Sequence, residues 1–193
     1  ATLLQQGNII AIKNTSGYLL CCDASNSSVV QKLRKKKKRP NKPFAILYPS
    51  LKLLKEQLII SKNQEGELIS SQRPIVIVPK TNYKGDLALE DLAPNLNQLG
   101  IMLPYSGILQ LLANELKTPI VATSGNLHGS PIISKNIEAL KILQQVADYF
   151  LHHNLDIRNP QDDSVVKYSA KFDQKVLFRR SRGYAPNYFG EKL

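Results

Sequence analysis

Short apolar runs rich in β-branched residues alternate with amphipathic stretches from residue 8 to residue 180, and no repeat or low-complexity tract interrupts them. The runs at 8–13, 18–22, 44–48, 75–78, 119–122, 164–168 and 176–180 have the length and composition of strands. Asn26 or Ser27 can cap a helix that places Val29, Val30 and Leu33 at three-and-four spacing. That helix must stop before Pro40, which has no amide proton and restrains the residue ahead of it. Short helices are expected after Ser50 and after Ser61, the latter with Gln64 in capping-box spacing. Residues 81–97 read as a long, partly exposed connection, and 101–103 open a new unit. Ser106 then precedes a helix expected to bury Ile108, Leu111, Leu112 and Leu116. The longest helix is expected over 137–152, with Leu140, Leu143, Ala147 and Phe150 on one stripe. Such alternation dictates an α/β fold with a mixed sheet flanked by helices. With no flexible linker in the chain, one domain is expected over residues 1–193, with its core at about 8–186.

Charge is concentrated rather than spread. The 26 Lys and Arg outnumber the 15 Asp and Glu, for a net charge of +11. Eight of the cations fall in KLRKKKKRPNK, residues 32–42; without them 18 basic residues face 15 acidic ones. A dense cationic segment on a nearly neutral body either faces an anion or is a solvated arm. Part of it lies on the last turns of a helix, where cations complement the dipole in any case. No apolar stretch is long enough to span a membrane, so a membrane partner is not expected. The two cysteines, Cys21 and Cys22, are adjacent and would point to opposite faces of a strand. A disulfide and a structural zinc site are therefore not expected, and a reduced, cytoplasmic setting is.

Nucleophilic chemistry has little to work with. The histidines are His128, His152 and His153; the last two are expected at a helix end, where a cation is favoured anyway. No His, Cys and Asp spacing suits a metal shell, so no dedicated protein metal cluster is expected. Asp162 and Asp163 either form a turn before a strand or help to hold magnesium. Phosphate chemistry is better supplied. Thr123, Ser124, Gly125 and Asn126 lie where a strand ends, the usual ligand position in open α/β sheets. Their hydroxyls and a close backbone approach suit phosphate or ribose, although such a tetrapeptide also makes an ordinary turn. Arg179, Arg180 and Arg182 add guanidinium forks for phosphate; Arg180 and Arg182 would share a face if the strand runs that far.

Taken in order, IIAIK, SGYLLCCDASN, LRKKKKRPNKPFAIL, RPIVIV, LGIMLPYSG, TSGNLHGSPI, ADYFLHHN, DDSVV and RRSRGYAP span residues 9–186. The series resembles the YrdC-like domain, and most closely the version within HypF-type hydrogenase-maturation carbamoyltransferases. The resemblance implies a twisted α/β sheet around a deep, positively lined cavity. It implies an adenylation in which a carbamate-type carboxylate attacks the α-phosphate of ATP, with Mg²⁺, and releases pyrophosphate. The acyl group would be carbamoyl, from carbamoyl phosphate, or, in the stand-alone branch that serves tRNA modification, threonylcarbamoyl, from threonine and bicarbonate. By the same resemblance Lys37 and Arg39 are the catalytic cations, and Lys42 is the lysine of the KPF block. Lys13, Thr123, Ser124, Asn126, Ser164, Arg180 and Arg182 contact nucleotide or substrate. The acyl group would pass to an acceptor protein or a partner catalytic domain. A double-stranded RNA or nucleotide-binding module with reduced catalysis is the remaining alternative. The chain departs from the HypF-type pattern at Asn14 and Ser16, where glycines are usual, at Leu19, where histidine is usual, and at Pro160, where arginine is common.

Overall fold

The computed structural model describes residues 1–127 and 129–186. A short helix α1 (Thr2–Gln5) leads into the hairpin of β1 (Ile10–Asn14) and β2 (Gly17–Asp23). These strands pair antiparallel with Ile10 opposite Cys21 and Asn14 opposite Gly17. Helix α2 (Ser27–Lys36) follows; the Asn26 side chain accepts the Val29 amide, as its capping position predicts. Then come β3 (Ala45–Leu47), α3 (Leu51–Gln57) and α4 (Lys62–Ile69). Ser61 and Gln64 close a reciprocal capping box at the start of α4. β4 (Ile75–Pro79) is followed by the 81–97 connection, which contains a one-turn helix α5 (Leu89–Leu92). The chain continues through β5 (Gln98–Met102), α6 (Gly107–Leu116), β6 (Ile120–Ser124), α7 (Asn136–Leu143), β7 (Tyr149–Leu151), β8 (Val165–Tyr168) and β9 (Lys175–Arg179).

Nine strands form one mixed sheet in the order β7-β1-β2-β6-β3-β5-β4-β8-β9. One face packs on α2, α3, α4, α5 and α7 through Val30, Leu33, Leu54, Leu68, Leu92 and Leu143. The other packs on α1 and α6 through Leu4, Leu109 and Leu116. Cys21 and Cys22 divide between the two layers, as strand alternation requires, and both thiols are free. Burial pushes the Cys21 thiol up to about 12 and the Cys22 thiol well up as well, so neither is a ready nucleophile. No helix is long and apolar enough to cross a membrane among the described residues.

Two sequence expectations change. The helix expected over 137–152 ends at Leu143, and residues 149–151 are a strand parallel to β1. The unpaired edge of β1 supplies the reason. The Asp148 amide donates to the Ile9 carbonyl at 2.7 Å, and the Asp148 carboxylate accepts the Ile9 amide at 2.9 Å. That edge recruits a Tyr-Phe-Leu segment of good strand propensity out of the helical pattern. His152 and His153 therefore follow a strand and do not end a helix. Within α6 the buried stripe is Leu109, Ala113 and Leu116, whereas Leu111 is 73% exposed. The apolar residues of that segment outnumber the sites one face can cover, and the sheet selects the stripe.

Candidate functional site: a cationic hollow on an uncovered sheet face

Helices α1 and α6 leave part of their sheet face bare. There the strands carry small residues: Ala45 lies opposite Gly100 in register, and Ala122 lies on the neighbouring β6. With so little side-chain volume on the floor, a hollow of 260 Å³ remains, and its described lining comes from strands and loops. Its rim carries Arg39, Lys42, Thr123, Ser124, Asp162, Asp163 and Arg179.

Arg39 reaches the rim because α2 ends when it does. Lys37 caps the helix, Lys38 adopts a left-handed backbone with φ of 51°, and the chain turns toward β3. The turn is wrapped around Arg34, which is buried. Its guanidinium donates to the carbonyls of Arg39 at 2.7 Å, Lys42 at 3.1 Å and Pro40 at 3.2 Å, and to those of Asp91 and Leu92 across the α5 connection. The Phe44 ring stacks under both Arg34, at 4.5 Å, and Arg39, at 4.9 Å. Arg39 in turn donates to the Thr123 hydroxyl at 3.0 Å and to the Lys42 and Pro43 carbonyls. Burial, with Arg34 and Arg179 nearby, lowers its pKa to about 10, and Asp162 opposes the fall.

Lys37 points inward beside it and is buried. Its ammonium donates to the Ser124 and Asn126 carbonyls, both at 2.7 Å, and to Asn126 Oδ1 at 3.2 Å. Burial pulls its pKa down to about 7; Arg39 and Lys42 add to the fall and Asp162 opposes it. Lys37 thus holds the end of β6 in shape. Ser124 and Asn126 complete that turn through an Oγ to Oδ1 bond of 2.9 Å.

At the opposite rim Asp163, which is buried, is locked to the half-buried Arg182 at 2.8 Å. Arg182 also donates to the Gln72 and Arg73 carbonyls and lies 3.4 Å over the Tyr105 ring. Ser164 is fully buried and accepts the Ser181 amide at 2.7 Å. Arg180 donates to the Tyr184 carbonyl. Neither Arg180 nor Arg182 lines the hollow; Arg179 does. Strand β9 ends at Arg179, so the alternation expected to carry 180 and 182 to one face stops short of both. Lys13 sits on the other sheet face, where its ammonium donates to the His153 and Leu155 carbonyls. His128, within the TSGNLHGSPI block, lies outside the described residues.

The run at 32–42 thus divides by task. Lys32 and Lys36 pair with Asp148, Arg34 and Lys37 bind carbonyls, Arg39 and Lys42 face the hollow, and Lys35 and Lys38 are in solvent. Sequence reasoning missed Arg34 and Phe44, whose only signal was their place inside a basic block, and preferred Arg180 and Arg182 to Arg179. No cluster of three metal-ligating side chains occurs among the described residues. The arrangement can neutralise and position a phosphate group, and among the described residues it presents no thiol or imidazole to attack one.

Known proteins share this arrangement of strands. A carbamoyltransferase HypF from Synechocystis sp. is 46% identical over 184 residues, which are 95% of this chain and 23% of that one. A threonylcarbamoyl-AMP synthase from Hydrogenovibrio crunogenus is 29% identical over 157 residues, covering 75% of this chain and 82% of its own length. The crystal structure of a full-length HypF in a phosphate- and nucleotide-bound form superposes with a TM-score of 0.90 at 43% identity, covering 96% of this chain and 29% of that chain. Escherichia coli YciO superposes with a TM-score of 0.77 at 19% identity, covering 93% of this chain and 86% of its own, a likeness of fold. The chain spans about a quarter of the length of its HypF relatives. The Sua5/YciO/YrdC family, described as telomere recombination, matches residues 2–181, and with that match and the HypF likeness this chain belongs to the family.

Proposed function

We propose that the hollow binds the phosphates of ATP and adenylates a carbamate-type carboxylate, as one half-reaction of a HypF-type carbamoyl transfer in hydrogenase maturation. The observation that carries this reading is the convergence of Arg39, Lys42, Arg179, Thr123 and Ser124 on one hollow whose described lining holds no thiol or imidazole. In the reaction a carboxylate oxygen bonds to the α-phosphorus, the bond from that phosphorus to the bridging oxygen breaks, and pyrophosphate leaves with the electron pair. The protein has only to align the two reactants and neutralise developing charge, which fixed guanidinium and hydroxyl donors do. Arg39 and Arg179 suit phosphate oxygens through planar forks, Lys42 as a point charge, and Lys37 by holding the Ser124 to Asn126 turn. The acyl group then goes to an acceptor outside this domain.

Magnesium fits the described donor set through one carboxylate. Asp162 offers a hard carboxylate oxygen at the rim, and the other carboxylate of the described lining, Asp163, is paired with Arg182. A Mg²⁺ ion held by one carboxylate and the phosphates of its nucleotide matches that supply. When bound, the ion withdraws charge from the phosphate oxygens and orients them.

The length coverage of the threonylcarbamoyl-AMP synthase favours a second reading, in which the acyl donor is threonine plus bicarbonate. Pyrophosphate release with ATP and Mg²⁺ separates them: carbamate, freed from carbamoyl phosphate by hydrolysis that releases inorganic phosphate, should support it, and turnover with threonine and bicarbonate alone would replace the first reading by the second. Arg39→Ala should lower kcat/KM by about 100-fold or more, the scale of losing one preorganised charge-stabilising donor, whereas Lys35→Ala should stay within about twofold. Equal small losses at both positions would mean that the run is only a diffuse electrostatic skirt. The RNA reading has less to rest on, since six of the eight cations of the run are engaged in ion pairs or carbonyl contacts or line the hollow.

A further inference from the structure

The hollow contains a negative charge that a simple anion site would not carry. Asp162 lines it amid Arg39, Lys42 and Arg179, with Lys37 behind. Its carboxylate accepts no hydrogen bond from the described protein groups, and its nearest cation, Arg179 Nη1, is 3.9 Å away. The side chain is 38% exposed. The neighbouring Asp163 shows what a structural counter-ion looks like here: its side chain is 9% exposed and closed on Arg182 Nε at 2.8 Å. Asp162 is held in place by its main chain, whose carbonyl accepts the Arg182 amide at 3.1 Å, so the loose carboxylate is not the result of a loose backbone.

We propose that Asp162 makes the hollow selective for a metal-complexed polyphosphate over the free anion, a role that rests on the nucleotide-binding reading above. A free triphosphate entering this ring of cations also meets a fixed carboxylate, and the repulsion works against the attraction. A divalent ion carried by the phosphates reverses the sign of that contact, because a carboxylate oxygen with open lone pairs is a natural ligand for it. The same carboxylate opposes the depression of the Lys37, Arg39 and Lys42 pKa values, so without ligand it serves as the resident counter-charge of the site. Asp162 is therefore a specificity residue: it disfavours inorganic phosphate and metal-free nucleotide, and it leaves the metal complex favoured.

Equilibrium binding measures this directly, by calorimetric titration of ATP into the whole protein with Mg²⁺ and with EDTA. The wild-type protein should bind Mg·ATP at least about tenfold more tightly than metal-free ATP. Asp162→Asn should bind metal-free ATP about tenfold more tightly than wild type, and its preference for the magnesium complex should fall below about threefold. Asp162→Ser, which removes the charge with a different shape, should move the same way and covers the case in which the amide misfolds. A magnesium preference unchanged in either folded variant, or metal-free ATP bound no more tightly by it, overturns the role of Asp162 while leaving nucleotide binding intact. A wild-type protein that binds ATP in neither form removes the nucleotide reading, and this inference falls with it.

Discussion

Arg34→Ala should destabilise the protein by about 3–4 kcal/mol and abolish nucleotide binding together, because one guanidinium holds the turn that aims Arg39 and Lys42. Five carbonyls, those of Arg39, Pro40, Lys42, Asp91 and Leu92, accept from it, and the side chain is buried between α2 and the α5 connection. Truncation leaves these oxygens without their charged donor and removes the upper cation from the Phe44 ring. In a chain of this size the loss corresponds to a Tm lower by roughly 6–16 °C. Arg34→Lys should recover little, since an ammonium has neither the reach nor the fork to serve both segments. Urea unfolding followed by far-UV circular dichroism gives the free energy. A cost under about 1 kcal/mol would show that the turn is held by other contacts.

Gly125→Ala should be the most damaging single-methyl change in the site. A Cβ there would lie 2.6 Å from Tyr18 Cβ, 2.7 Å from the Tyr18 carbonyl oxygen and 2.9 Å from its carbon. These atoms belong to the backbone and root of β2, so the neighbour cannot swing aside. The Gly125 amide donates to that same Tyr18 carbonyl at 2.6 Å, and its own carbonyl accepts the Ile133 amide at 3.0 Å. Prying the strands apart there breaks both links and lifts Ser124 and Asn126 away from Lys37. We expect a loss of about 2–3 kcal/mol in stability and at least about tenfold in phosphate affinity. Gly66→Ala supplies the contrast: nothing lies within 4 Å of its added Cβ on the exposed side of α4, so it should stabilise by about 0.5–1 kcal/mol. If both alanines behave alike, the tight approach at Gly125 does not govern the site.

Much of this molecule is readable one segment at a time. The α2 cap at Asn26, the capping box of Ser61 and Gln64, and the buried strands β1, β2, β4 and β6 follow from spacing and side-chain type within a few residues. The segment 144–151 resists that reading. Its apolar residues fit a helical stripe, yet the free edge of β1 offers hydrogen bonds that a continued helix would forgo. The direction of each cation resists it too. Lys35, Lys37 and Arg39 are equivalent letters in a basic block until α2 stops at Lys36 and the left-handed Lys38 turns the chain.

From the order of its residues alone, this chain was bound to an alternating α/β architecture with one cationic block at a helix end and a hydroxyl-rich turn at a strand end. Periodicity and capping act between near neighbours, and near neighbours are what a sequence displays. The sheet order alone brought residues 39, 123, 162 and 179 around one hollow, by laying β6, β3, β5, β4 and β8 side by side with small residues on the open face. Those side chains are far apart along the chain, so their meeting depends on pairings that satisfy the backbone of the whole sheet at once.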